Sequence, residues 1–228
     1  MPDSFTPDTL ELFSAQVCPY AHRSRLALAE KGLEFTLSEI DLADKSQRFL
    51  DISPYGKVPV LLHNGRTVYE SAIVNEYLND SFPTPALLPD DPYQRAQARI
   101  WIDYFDNRFL DTYYDAMMNK DRAKDAENRE KIETGFRFIE NEGMAKLSGD
   151  GPYWLGATLS LVDLAYYPFL ERLPAWTHHR GIDIPDDCTR LRKWCDVMRA
   201  RPSVQEIANP PEYYIDRYKK YAGVEDAA

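Results

Sequence analysis

Three cysteines in 228 residues are too few, and too irregularly spaced, for a disulfide framework or for paired metal-ligand positions. Cys18 stands alone near the start, Cys188 and Cys195 near the end, and reduced thiols are the expectation. No apolar run approaches the roughly 20 residues of a membrane-spanning helix. The opening MPDSFTPDTL is acidic and proline-broken, without the basic start and apolar core of an export signal. Both absences predict a soluble protein of the cytoplasm. Positive charge is scarce as well: 27 Lys and Arg against 37 Asp and Glu leave a net charge of -10. Binding to a phosphate backbone needs clustered cations that displace counterions, so nucleic acid is not an expected partner, and neither is a membrane. There is no internal repeat and no low-complexity stretch.

What the chain does have is 44% apolar residues, enough for a well-buried core in one large domain or two small ones. Up to about residue 80, strand-like and helix-like segments alternate. TLELFSA (9–15) predicts a strand, and 19–31 a helix ending at Gly32. EFTLSEI (34–40), with Phe35, Leu37 and Glu39 on one face, predicts a second strand. A helical crossover between two strands makes them parallel neighbours. A short helix near 46–51 follows, then VPVLLHNGRTVYES. Asn64-Gly65 between two apolar runs predicts a hairpin, because the tight turn needs positive φ. A last helix covers 71–80. The order β-α-β-α-β-β-α predicts a thioredoxin-like domain, a mixed four-stranded sheet covered by helices.

Prolines 83, 85, 89 and 92 then interrupt all periodicity, as in a linker. Beyond them the pattern is helical throughout. Ile100, Tyr104, Tyr113 and Tyr114 fall on one long amphipathic helix, Ile132, Phe136 and Ile139 on another, with further helices at about 160–174 and 188–200. The predicted organisation is an α/β domain over 1–82, a linker over 83–92 and an all-α domain over 93–228. Ser160 and Asp163 have the spacing of a capping box and are assigned to folding.

Cys18 is followed by Pro19 at the start of the first predicted helix. A cysteine there faces the positive end of the helix dipole and several unpaired N–H groups, which favour thiolate over thiol. Proline at the first helical position gives up only a donor that would be unpaired anyway. A buried structural cysteine is the alternative reading. Lying between a strand and a helix, however, Cys18 sits where an open α/β sheet presents its ligand-binding loops. Ala21 stands where a second cysteine would be, so any redox chemistry must be monothiol. His22 and Arg23 add positive potential unless they are solvated.

A second constellation is KVPVLLHNGRTVYES. Pro59 enters a strand without a donor for the ladder, in a special geometry that includes a cis bond among its options, leaving the Val58 backbone open to an extended peptide. Glu70 and Ser71 open the next helix, where N–H groups and a hydroxyl can hold a carboxylate while Glu70 pairs with an amine; a plain helix cap is the other reading.

CPYAHRSRLALAEKG, SPYGKVPVLLHNGRTVYES, LLPDDPYQRAQ and LSLVDL, in that order, resemble a glutathione transferase of the cysteine type, the omega and lambda classes. The resemblance spans essentially the whole chain. It implies glutathione as cosubstrate, no metal, and a homodimer. It implies Cys18 as the catalytic thiol facing the glutathione sulfur and Tyr20 as the flanking aromatic. Lys45 would face the glycyl carboxylate, Val58 beside a cis Pro59 would pair with the cysteinyl unit, and Glu70 and Ser71 would hold the γ-glutamyl end. The implied activity is glutathione-dependent thiol transfer or reduction, dehydroascorbate reduction included. Removal of glutathione from aromatic thioethers and non-catalytic glutathione binding are the alternatives. The acceptor pocket is expected between the domains, lined from the aromatic-rich helical half, with Tyr114, Tyr166 and Trp176 as candidates.

Overall fold

The computed structural model describes residues 9–223. The expectation drawn from the opening segment falls on residues 1–8, outside the described residues. Contacts divide the chain between Ala86 and Leu87 into two compact units.

The first unit contains β1 (Leu10–Ser14), α1 (Pro19–Glu30), β2 (Thr36–Glu39), α2 (Gln47–Ile52), β3 (Val60–His63), β4 (Arg66–Tyr69) and α3 (Ser71–Ser81). The four strands form one mixed sheet in the order β2-β1-β3-β4. The crossover through α1 makes β2 parallel to β1, with Leu12 opposite Leu37. β3 runs antiparallel to β1, with Phe13 opposite Val60, and β4 antiparallel to β3, with Val60 opposite Tyr69. Asn64 and Gly65 both take positive φ, 50° and 77°, as the two-residue hairpin requires. Phe13, Ala15, Ala21, Phe49, Val58 and Val60 make a buried cluster, with Cys18 and Ile52 packed against it. The predicted apolar face of β2 is not buried. Leu37 is 49% exposed, because an edge strand is covered on fewer sides than a central one.

The second unit is helical. It contains α4 (Pro92–Tyr104), α5 (Leu110–Met118), α6 (Asp125–Phe138), α7 (Ala145–Leu147), α8 (Leu161–Leu170), α9 (Leu173–Arg180), α10 (Thr189–Arg199), α11 (Pro202–Ile207) and α12 (Pro211–Ala222). A π-helical turn, Phe105–Phe109, joins α4 to α5, and a second, Ile139–Met144, follows α6. The long helix expected across 100–114 is therefore continuous but wound more loosely in its middle. Gly135 of α6 packs on that turn: a Cβ added there would lie 2.8 Å from the Phe109 ring.

The helix expected over 160–174 breaks at Glu171–Arg172, giving α8 and α9. α11 and α12 were not anticipated, although Pro202 and Pro211 each stand at a first helical turn, a recognised start signal.

Two buried charges hold this unit together. The Asp163 carboxylate, fully buried, accepts from the backbone N–H of Ser160 at 2.8 Å, the Ser160 hydroxyl at 2.7 Å, the Trp154 N–H at 3.0 Å and the Trp194 indole at 2.7 Å. Burial raises its pKa, and these four donors oppose that shift. The capping box thus extends into a junction of α8, α10 and the preceding loop. The Arg180 guanidinium, 7% exposed, donates to Ala116 O at 2.9 Å, to Ala222 O at 3.0 Å and to Met117 O. It gathers carbonyls from the C-terminal ends of α5 and α12, where cations are favoured by the helix dipoles.

Replacing Asp163 by Ala strands three buried N–H donors. Asp163→Ala should destabilise the fold by about 3–5 kcal/mol in chemical denaturation. A loss below about 1 kcal/mol, the worth of one ordinary hydrogen bond, would refute the assigned role.

Candidate functional site

The sheet register decides which chain ends meet. Cys18 follows the C-terminal end of β1, Val58 precedes the N-terminal end of β3, and Glu70 follows the C-terminal end of β4. Because β3 is antiparallel to both neighbours, all three points lie on the same edge of the sheet.

Cys18 is the N-cap of α1, with φ -78° and ψ 117°, followed by Pro19 in the first turn. Its N–H donates to Ala15 O at 2.8 Å and its carbonyl accepts from His22 N at 3.0 Å, which fixes the residue at the mouth of the helix. No acidic side chain lies in the first turn to oppose the dipole. The thiol is half-buried, with Sγ 3.9 Å from the Val58 carbonyl.

The other two cysteines differ. Cys188 is also a helix N-cap, on α10, but is fully buried, and burial pushes its thiol up to about 11. Cys195 is 8% exposed, and burial pushes its thiol up to about 12. A helix N-terminus therefore does not suffice: desolvation outweighs it at Cys188.

Val58 joins the Ser53–Val58 loop to β3 through a cis bond to Pro59. The Ser53 hydroxyl braces this loop, donating to Lys57 O and accepting from Lys57 N, both at 2.9 Å. Among the described residues the Val58 N–H has no hydrogen-bond partner. Lys45, half-buried, lies over the same loop, its Nζ 3.8 Å from the point a Cβ on Gly56 would occupy. Lys57, which the sequence reading passed over, is exposed and adjoins Val58 in the chain.

Glu70 is the N-cap of α3 and holds φ at +68°, a left-handed conformation that non-glycine residues rarely adopt. Its side chain makes no capping bond and is exposed, so the plain-cap reading does not hold. Ser71 is 5% exposed and its hydroxyl accepts from the Arg23 guanidinium at 3.3 Å. Arg23 also lies 5.1 Å from the centroid of Tyr20, which is half-buried. Arg23 and His22 are buried, not solvated as one sequence reading allowed. Arg23 thus links the helix carrying Cys18 and Tyr20 to the helix opened by Glu70 and Ser71, a connection that its spacing from Cys18 alone did not reveal.

The proposed pocket aromatics need correction. Tyr166 and Trp176 are fully buried. The Tyr166 hydroxyl donates to Trp101 O at 2.7 Å and the Trp176 indole to Tyr113 O at 2.8 Å, so both are core side chains. Tyr113, Met117, Tyr167 and Phe169 are buried too. Amphipathic periodicity marks a buried face but does not say whether it meets a ligand or another helix. Of the three named candidates only Tyr114 is half-buried, with an accessible part.

Residues 17–81 match the glutathione S-transferase N-terminal domain and residues 101–196 the corresponding C-terminal domain. Glutathione S-transferase U19 of Arabidopsis thaliana is 35% identical over 196 residues, covering 85% of this chain and 86% of its own. Among solved structures, the Tau class glutathione S-transferase MiGSTU from mango, Mangifera indica, superimposes with a TM-score of 0.86 at 29% identity, over 93% of this chain and 98% of that one. Glutathione transferase Omega 3C from Trametes versicolor does so with a TM-score of 0.84 at 31% identity, over 98% and 94%. With both domains matched in order, and relatives similar along nearly their full length, the chain belongs to the glutathione S-transferase family.

Proposed function

We propose that this transferase works as a cysteine-type, omega- or lambda-like enzyme, in which the Cys18 thiolate is the attacking group. The observation that carries the reading is the contrast among its three thiols: Cys18 alone is accessible at a helix mouth, while Cys188 and Cys195 are buried with raised pKa. In the first step the Cys18 thiolate attacks the glutathione sulfur of a glutathionylated substrate. The substrate–sulfur bond breaks, the leaving group takes a proton, and Cys18 is left disulfide-bonded to glutathione. A second glutathione thiolate attacks the glutathione sulfur of this mixed disulfide, releasing glutathione disulfide and free Cys18. Dehydroascorbate reduction and removal of glutathione from aromatic thioethers draw on the same nucleophile.

For glutathione itself, the Val58 N–H and carbonyl suit the cysteinyl unit, as an added strand would. Ser71 and the N-terminus of α3 suit the γ-glutamyl carboxylate, Glu70 its amine, and Lys45 and Lys57 the glycyl carboxylate. Tyr20 flanks the ligand. Tyr114 is the acceptor-side residue retained in the helical unit, for a small aromatic or disulfide-type acceptor. Assembly as a homodimer is part of this reading. Three free thiols suit the reducing cytoplasm.

Family membership favours one second reading: conjugation, in which the enzyme stabilises the thiolate of glutathione for attack on an electrophile. The Cys18→Ser variant separates the two. It should lose thiol transfer with a hydroxyethyl mixed disulfide and retain or gain weak conjugation; full thiol transfer by that variant would rule out the mechanism. After exposure to glutathione disulfide, peptide mass spectrometry should find the adduct on Cys18, and an adduct confined to Cys188 or Cys195 would contradict the assignment. Ser71→Ala and Glu70→Ala should each raise KM for glutathione about tenfold to hundredfold, the worth of a hydrogen bond to a charged group. An unchanged KM in both would remove these residues from the binding site.

A further inference from the structure

We propose that Arg25 is a positioning residue for Cys18: its buried guanidinium grips the turn between β1 and α1 and so holds the thiol at the mouth of α1. This role rests on the reading of Cys18 as the attacking thiol. Nη1 of Arg25 donates to the Ser14 hydroxyl at 2.8 Å and to Ala15 O at 3.3 Å, and Nη2 donates to Gln16 O at 3.3 Å. The end of β1 and the first two residues of the turn are thus held by one side chain. Ala15 O also accepts from the Cys18 N–H, at 2.8 Å. A carbonyl oxygen has two lone pairs, so this one atom ties Cys18 to the turn and the turn to Arg25.

Helix geometry explains the reach. Arg25 stands seven residues after Cys18, close to two full turns, so both lie on one face of α1. Helical side chains lean toward the N-terminus, and arginine is long enough to extend back along that face to the turn. Arg25 is 6% exposed and Ser14 is fully buried, which leaves water little access to replace these bonds. Arginine is not deprotonated in proteins. The grip therefore also brings a fixed positive charge to the helix end, where it favours thiolate.

Placement matters because the effect of a helix end on a charge falls off within the first turn. A thiol that drifts from the mouth loses it. The other charged groups around the turn act more weakly or are constant. Glu39 of β2 accepts from the Gln16 N–H, but it is exposed, as are Lys57 and Glu70 on the same sheet edge, and water and salt screen all three. His22 and Arg23, buried on α1, and the half-buried Lys45 are the same in every protein compared below.

The test follows two pH profiles in the full chain, Cys18 alkylation by iodoacetamide and thiol transfer with a hydroxyethyl mixed disulfide. Arg25→Met should raise the Cys18 alkylation midpoint by about one pH unit, the size of a helix-end effect. Thiol transfer should then slow about tenfold below both midpoints, with the loss shrinking as pH rises through the new one. Arg25→Lys keeps the charge but not the two-armed fork, and should show a smaller rise in the same direction. Arg48→Met removes another arginine tied to β1, through Glu11, and should leave the midpoint in place. Denaturation midpoints show which variants fold. A brace with no bearing on the thiol would slow transfer equally at every pH and leave Cys18 alkylation unchanged. An unchanged Cys18 midpoint in folded Arg25→Met, or in Arg25→Lys if the methionine variant does not fold, would overturn the proposal. The reading of Cys18 as attacking group fails separately, through full thiol transfer by Cys18→Ser; the alkylation midpoints need no activity and still decide the role of Arg25.

Discussion

Antiparallel pairing of β3 with β1 and β4 is the constraint on which the site depends. It returns the chain to the same sheet edge at three points far apart in sequence. The Val58 carbonyl consequently comes within 3.9 Å of the Cys18 sulfur, and the α3 N-terminus opens beside them. Each component is unremarkable alone: a cysteine before a helix, a loop ahead of a strand, a helix start. One edge brings the thiol, the Val58 loop and the start of α3 together. Arg23, buried between α1 and α3, then fixes the spacing of the two helix ends by touching both Ser71 and Tyr20.

Helix position and burial act on a thiol in opposite directions, and at Cys188 burial prevails. Cys18 and Cys188 are both N-caps. The first is half-buried and the second is sealed in the helical unit, where desolvation raises its pKa. Dipole effects are worth on the order of 1 kcal/mol, whereas full burial of a charged group costs several. Accessibility, more than local sequence, distinguishes Cys18 from the other two cysteines.

Local rules made the first unit largely legible. Asn64-Gly65 identified the hairpin, the α1 crossover identified the parallel pair, and Cys18-Pro19 identified a helix mouth; each signal acts within a few residues. The Ser160–Asp163 spacing likewise identified the start of α8. The helical unit was harder because its signals are long-range. Tyr166 and Trp176 have the composition of a ligand pocket, and only the neighbouring helices show that their polar atoms are spent on Trp101 and Tyr113 carbonyls. Arg23 had a solvated reading and Arg180 carried no signal, yet both are buried because distant oxygens accept their hydrogen bonds. Glu70 gave no sequence sign of its positive φ, since residue type alone does not report a backbone held left-handed by its surroundings.

The central claim is that the helix mouth keeps Cys18 ionised while the fold silences the other two thiols. Its most direct measurement is the pH dependence of iodoacetamide alkylation, resolved cysteine by cysteine by mass spectrometry in the native protein. The account predicts that Cys18 reacts with a midpoint clearly below the value of about 8.5 for a free thiol, with Cys188 and Cys195 unreactive across that range. A Cys18 midpoint at or above the free-thiol value, or faster alkylation at either buried cysteine, would contradict it.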